Sequence, residues 1–330
     1  MRVLVVGASG VLGRAVLTHV ASLGHDVVAI TRTAGSVAAD SLAAGAIGEL
    51  VTDVAVRRSF LEAVDEVHVD AVVNLLGIGA LPPRYTDMRE VNRLRIEGTS
   101  TLVAAARRAG ARYVGVSPFY GYGMADHGDI PLTEGDQFGE PDRRGTDGRH
   151  SDRRRDPQDA VQIALRSSEQ QTRAFGGTVL RLGHLYVAGA TSVPAVPRRW
   201  LGALPVVHVE DAAAAVGLAL TAPPTGATGT TGTAGRVYNV AADEPCSWRT
   251  LQEAQARTDG FAPPVVLPDG VIRSLAPFSG RIITRTAMRL SSAAAHDELG
   301  WIPRHAAPAT VLAISRSAVS STAVSSTSAS

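Results

Sequence analysis

The chain has 330 residues and a formal net charge of +1, long for a single domain and short for two large ones. The near-neutral charge excludes the basic footprint of a nucleic-acid or acidic-membrane partner, and the one cysteine, Cys246, excludes an internal disulfide and any multi-cysteine metal site, so no metal is expected. No apolar run approaches membrane-spanning length, and the opening MRVLVVGASG enters a strand pattern without a signal-peptide layout, so a reducing cytoplasm is the expected location.

In chain order, RVLVVG reads as a buried strand ending in glycine. VLGRAVLTHVASLG places Val11, Leu12, Val16, Leu17, Val20 and Leu23 at helical spacing and stops at Gly24. HDVVAIT is a second strand, AVRRSFLEAVDEV a helix, DAVVNLLG a strand, EVNRLRIEGTSTLVAAARRAG one long helix, and RYVGVS a strand. Residues 124–157 are polar, turn-rich and dense in charge of both signs. They read either as a solvated loop or as a lid whose Arg153, Arg154 and Arg155 reach an anionic substrate. DAVQIALRSSEQQTRAFG is a helix, TVLRLGHLYV a strand running into a loop, HVEDAAAAVGLALTA a strand end and helix, and RVYNVA a strand after a glycine- and threonine-rich connector. The low-complexity tail from Ser315 is expected to be disordered. Strands alternating with helices predict an α/β fold, a Rossmann-type doubly wound parallel sheet. Residues 1–185 should form mainly the dinucleotide domain and 186–314 mainly a substrate lobe, with 206–242 returning to the first.

VGASGVLG sets Gly7, Gly10 and Gly13 between the first strand and the first helix. In that place the glycines serve a tight turn, a close backbone approach to a pyrophosphate, and helix–strand contact. Ser9, Val11 and Leu12 complete the turn and the helix start, whose free N–H groups favour phosphate. The second strand ends in Thr31 and Arg32 where an NAD-binding fold has an acidic residue. A guanidinium binds a 2′-phosphate, so NADP(H) is expected ahead of NAD(H). An ordinary surface arginine is the alternative.

All 32 basic residues are arginine, so no mechanism on this chain's own side chains can use a lysine amine.

The sequence resembles the extended short-chain dehydrogenase/reductase family, in its NAD(P)-dependent epimerase/dehydratase branch, from Val3 to about Pro303. The resemblance rests on GASGVLG, TDV (Asp53, Val54), VVNLLG (including Leu75, Leu76 and Gly77), VNRLRIEGT (Asn92), LRLGHLY, HVEDAAAA, VYNVA and AHDELGWIP. It implies that Asp53 faces the adenine, that Leu75 to Gly77 line the cofactor, that Asn92 is the helix asparagine, and that a homodimer is possible. It also implies a Ser/Thr and a Tyr-x-x-x-Lys acid–base pair, and there the pattern fails. Pro118 stands where the serine belongs, one past Ser117. With the helix aligned on Glu169, Val161 takes the tyrosine position and Leu165 the lysine position.

Ser117, Tyr120 and His184 are the candidate catalytic side chains. His184 has the one unperturbed pKa near neutrality, about 6.5, and equally reads as a structural histidine. Tyr122 and His208 match positions that are structural in the family. The favoured function is an atypical NADPH-dependent reductase of a small-molecule, natural-product-like intermediate: an iminium or conjugated alkene needing little protonic help, or a substrate such as a carbonyl that uses His184 or Tyr120. A non-redox cyclase, lyase or epimerase on the same fold, or a non-catalytic NADP(H)-binding protein, are the alternatives.

Overall fold

The computed structural model describes residues 1–37, 47–79, 81–140, 157–187, 195–223, 233–305 and 308. The arginine-bearing part of the expected lid and the tail from Ser315 lie outside them.

Seven parallel strands form the central sheet. In chain order they are β1 (Arg2–Val6), β2 (Asp26–Thr31), β3 (Ile47–Val51), β4 (Ala71–Asn74), β5 (Arg112–Pro118), β6 (Thr178–Leu182) and, after the chain has left and returned, a last strand at Val237–Val240. The spatial order is last strand, β6, β5, β4, β1, β2, β3. The chain therefore reverses direction across the sheet between β1 and β4, the switch point at which doubly wound folds open a crevice beyond the carboxyl ends of the strands. The strands are runs of Val, Leu, Ile and Ala because both faces are covered. One face carries α1 (Val11–Ser22) and the helix Val209–Thr221; the other carries the helices Arg57–Asp65, Thr99–Ala109 and Pro157–Phe175. Val16, Leu17 and Val20 are fully buried at i, i+1 and i+4 of α1, each contributing roughly 1.5–3 kcal/mol of hydrophobic stabilisation.

Two segments depart from the expected elements. The long helix after β4 is not continuous: an α-helix at Met88–Arg93 passes into a π turn at Leu94–Gly98 before the α-helix Thr99–Ala109 resumes. The strand TVLRLGHLYV is two strands. β6 stays in the main sheet, Gly183 turns the chain out, and β7 (His184–Tyr186) pairs instead with β8 (Val206–His208).

Beyond the sheet, two-stranded pairings join Cys246–Ser247 to Ala203–Leu204 and Val265–Leu267 to Ala195–Pro197. Helices Trp248–Thr258, Asp269–Leu275 and Pro277–Arg285 complete this lobe. A third apolar cluster joins it to the carboxyl edge of the sheet, with Phe119, Tyr120, Val161 and Leu165 from the sheet side packing with Trp248, Phe278 and Ile282.

Candidate active site

Gly7 leaves β1 with φ +89, and an added Cβ would lie 3.2 Å from the Leu75 backbone. A Cβ on Gly13 would stand 2.2 Å from the Gly7 carbonyl oxygen, so helix and turn meet at a distance only glycine allows. Gly10 closes the turn by donating its N–H to Gly7 O at 3.2 Å and precedes α1. Among the described residues no side chain caps that helix, and its first turn holds no carboxylate, so its N–H groups remain for an anion. Ser9 and Val11 are exposed on the turn, and Leu12 is buried beneath it. The cradle fits a dinucleotide pyrophosphate.

Its rim is built from the neighbouring strand ends. Asp53 half-buries its carboxyl and accepts the Ala55 N–H at 2.9 Å through Oδ1. Val54 and Leu76 both lie against Gly98, where a Cβ would come within 2.9 Å of Leu76. Leu75 is buried, and Gly77 turns with φ +77.

At the end of β2 the structure adds a group that sequence reasoning missed. Thr31 is buried and donates its hydroxyl to Glu49 on β3 at 2.8 Å, while the Gly35 N–H donates to the other carboxylate oxygen at 2.9 Å. The Gly35 N–H, then the Thr31 hydroxyl, hold the Glu49 carboxyl below its usual range. Thr31 therefore has no free proton for a ribose. Arg32 is exposed and acts electrostatically on Glu90.

From the helix after β4, Arg95 reaches the strand ends. Asn92 is half-buried and accepts from Arg95 Nη1 at 3.3 Å. The π turn carries Arg95 inward to 3% exposure, and its Nη2 donates to Gly77 O at 2.8 Å and to the Tyr120 hydroxyl oxygen at 2.7 Å. π turns recur at functional sites, but nothing in residue spacing marks one. Tyr120 is 4% exposed and lies in a 3-10 turn directly after β5. Its backbone oxygen accepts from the buried Gln162 at 2.9 Å.

The other catalytic candidates divide. Ser117 is buried on β5, and among the described residues no hydrogen bond joins it to Tyr120 or His184. Pro118 ends the strand opposite Leu182. Val161 and Leu165, at the expected tyrosine and lysine positions, are 0% and 1% exposed in the apolar cluster. His184 lies among aromatic rings, which works against an acid role at neutral pH. Its ring meets Phe119 and Trp248 edge-on, with centroids 6.4 and 5.1 Å away, and burial pulls its pKa down to about 4. Tyr122 is structural: it meets Asn239 Oδ1 at 2.7 Å and Arg181 at 2.8 Å.

His208 caps the helix Val209–Thr221 and stacks on His305 at 3.7 Å. Ligand atoms of His208, Glu210 and His305 lie within 4.8 Å of one another, yet near-parallel imidazoles do not aim both ring planes at one ion. A cavity of about 620 Å³ runs along α1, between Val11, Arg14 and Glu210. Tyr120 and Arg95 are not among its walls.

The chain matches the model of the NAD dependent epimerase/dehydratase family over residues 3–146. It is 32% identical over 327 residues to a 3-diazoavenalumate denitrifying reductase of a Streptomyces species, covering 92% of this chain and 97% of that one. Its fold is similar to that of the dTDP-glucose 4,6-dehydratase of Streptomyces venezuelae, solved with NAD and TYD, at TM-score 0.69 and 17% identity over 93% of each chain. It is also similar to the UDP-glucose 4-epimerase of Thermotoga maritima, at TM-score 0.69 and 17% identity over 94% of this chain and 96% of that one. The chain belongs to the NAD dependent epimerase/dehydratase family, within the extended short-chain dehydrogenase/reductases, and is an NAD(P)-dependent enzyme of oxidoreductase type.

Proposed function

We propose that the protein is an NADPH-dependent reductase of a small aromatic electrophile whose reduction takes no proton from the enzyme, with an aryl diazonium as the substrate class. The observation that carries this reading is the acid–base end of the site. The two positions that should hold tyrosine and lysine are closed apolar core, the chain has no lysine, and the nearby histidine is neutral at pH 7. General acid–base help typically contributes ~10²–10⁴-fold, so a carbonyl substrate would forgo a large part of its rate here. A diazonium would forgo none of it: a nicotinamide held by the glycine turn would supply the hydride, and the overall change, aryl diazonium plus NADPH to arene, N2 and NADP⁺, balances with the carbon–nitrogen bond broken, a carbon–hydrogen bond formed and no proton exchanged. The name of the Streptomyces relative, a denitrifying reductase acting on a diazo compound, supports the same class.

In this reading the glycine turn and the start of α1 bind the pyrophosphate. The exposed Arg32 favours the 2′-phosphate, and His184, Phe119 and Trp248 form an apolar wall that excludes water from the electrophile. The test is stoichiometry: purified protein, NADPH and an aryl diazonium salt, with absorbance at 340 nm followed alongside N2 by mass spectrometry. One N2 per NADPH is expected, at a rate well above that of a Gly13→Val variant lacking the cradle. Equal rates for the two proteins, or NADPH consumed without N2, would overturn the reading.

A further inference from the structure

Two arginines in this chain are buried to nearly the same degree, and they are satisfied in opposite ways. Arg181, 4% exposed, meets both carboxylate oxygens of Glu169, the closest contact being 2.8 Å. Arg95, 3% exposed, meets neutral acceptors alone among the described residues: Gly77 O, the Tyr120 hydroxyl oxygen and Asn92 Oδ1. Among the described residues no carboxylate lies within ion-pair distance of Arg95. A buried guanidinium without a counter-ion costs several kcal/mol unless an anion arrives to pair with it.

The neighbouring hydroxyl has a donor of its own to offer. Because Arg95 donates to the Tyr120 oxygen, that oxygen's lone pair is used and its one hydrogen is left to point elsewhere. Among the described residues it has no acceptor. A cation and a directed O–H therefore stand side by side at the carboxyl edge of the sheet, beside Gly77, where this fold class binds ligands. A carboxylate has two oxygens for two such donors, and charge-assisted bonds of this type are the strong ones. The rings around the pair favour a flat partner: Phe119 and Phe278 meet Tyr120 edge-on at 5.6 and 5.7 Å.

Resting on the reductase reading above, we propose that Arg95 and Tyr120 form a receptor for the carboxylate of an aromatic acid, which sets the substrate class of the site. Arg95 binds the anion and positions Tyr120, and Tyr120 completes the pair of donors.

The probe is cinnamate, compared with its neutral isostere cinnamamide, titrated calorimetrically into protein saturated with NADP⁺. Cinnamate is expected to bind at least tenfold more tightly than cinnamamide. Arg95→Met should erase that preference, Arg95→Lys should restore part of it, and Tyr120→Phe should reduce it several-fold. Should Arg95→Met fail to fold, Tyr120→Phe decides. Equal binding of the two probes, no binding of cinnamate, or a preference untouched by these variants overturns the receptor. The two readings fail separately. An aryl diazonium without a carboxylate reduced as fast as one bearing it would sink the receptor and leave the reductase standing. Cinnamate held through Arg95 without N2 release from any diazonium would do the reverse.

Discussion

The two ends of the crevice have been treated differently by the same fold. At the pyrophosphate end, atomic spacing is so close that Gly13 admits no Cβ and Gly7 must hold a left-handed φ. At the end where an acid–base pair should stand, Val161 and Leu165 are sealed among Phe119, Phe138 and Phe278. Holding a dinucleotide and moving a proton are thus separable tasks. The first is written in the backbone and persists. The second, in the pattern the family resemblance implies, rests on side chains of the helix Pro157–Phe175, and here those positions serve packing.

The sharpest way to break this comparison is to damage each end in turn. Gly13→Val forces a side chain against the Gly7 carbonyl and should cost at least ~4 kcal/mol, divided between cofactor affinity and stability; fluorescence titration with NADPH and a denaturant melt read both. The converse change, Val161→Tyr with Leu165→Lys, puts a phenol and an amine into closed apolar core. It should destabilise by roughly 3–4 kcal/mol and bring no ketone reduction. A stable double variant that reduces ketones would mean the acid–base end is still a site.

A smaller effect concerns His184. Its native pKa of about 4 lies below the unfolded value of about 6.5, so between those pH values the unfolded chain binds a proton that the native state refuses. Stability should therefore fall as pH drops through this window, by about 3 kcal/mol at its foot. Denaturant melts at pH 6.5 and 4.5 should show a smaller loss for His184→Phe than for the native protein. The native pH–rate profile should carry no His184 limb near 6.5, and a limb there that vanishes in the variant would restore this ring as the acid.

The smallest expected change sharpens the cofactor end. Arg32→Ala should weaken NADPH selectively by about 1.5–3 kcal/mol, the scale of a lost charged hydrogen bond. NADH binding should change little. Equal affinity of the native protein for NADPH and NADH would assign the ribose to the Glu49 side of the strand end.

The pyrophosphate end was legible in the sequence because glycine spacing reports backbone geometry directly. The failed acid–base pattern was legible too, since an absent lysine needs no register to notice. Other features were not. Glu49 reaches Thr31 across a strand pairing, with Ala29 opposite Glu49, and no local pattern announces such a partner. Asn92 came from the family resemblance, which says nothing of a helix that changes its pitch two residues later. The π turn shifts the inward position to Arg95, and residue propensity carries no signal for it. His184 was given its free-solution acidity because one strand cannot reveal the rings that desolvate it.

The π turn at Leu94–Gly98 has a consequence for descent. Such a turn holds one residue more than the α-helix around it, and one residue is about 100° of rotation. Losing a single codon between Leu94 and Gly98 would restore an ordinary helix. The face of Thr99–Ala109 against the sheet would stay undisturbed, while the segment upstream would swing round and carry a different side chain toward Tyr120. A lineage on this fold can therefore gain or lose a buried cation at its substrate edge by one in-frame insertion or deletion, with the sheet, the glycine turn and the cofactor untouched.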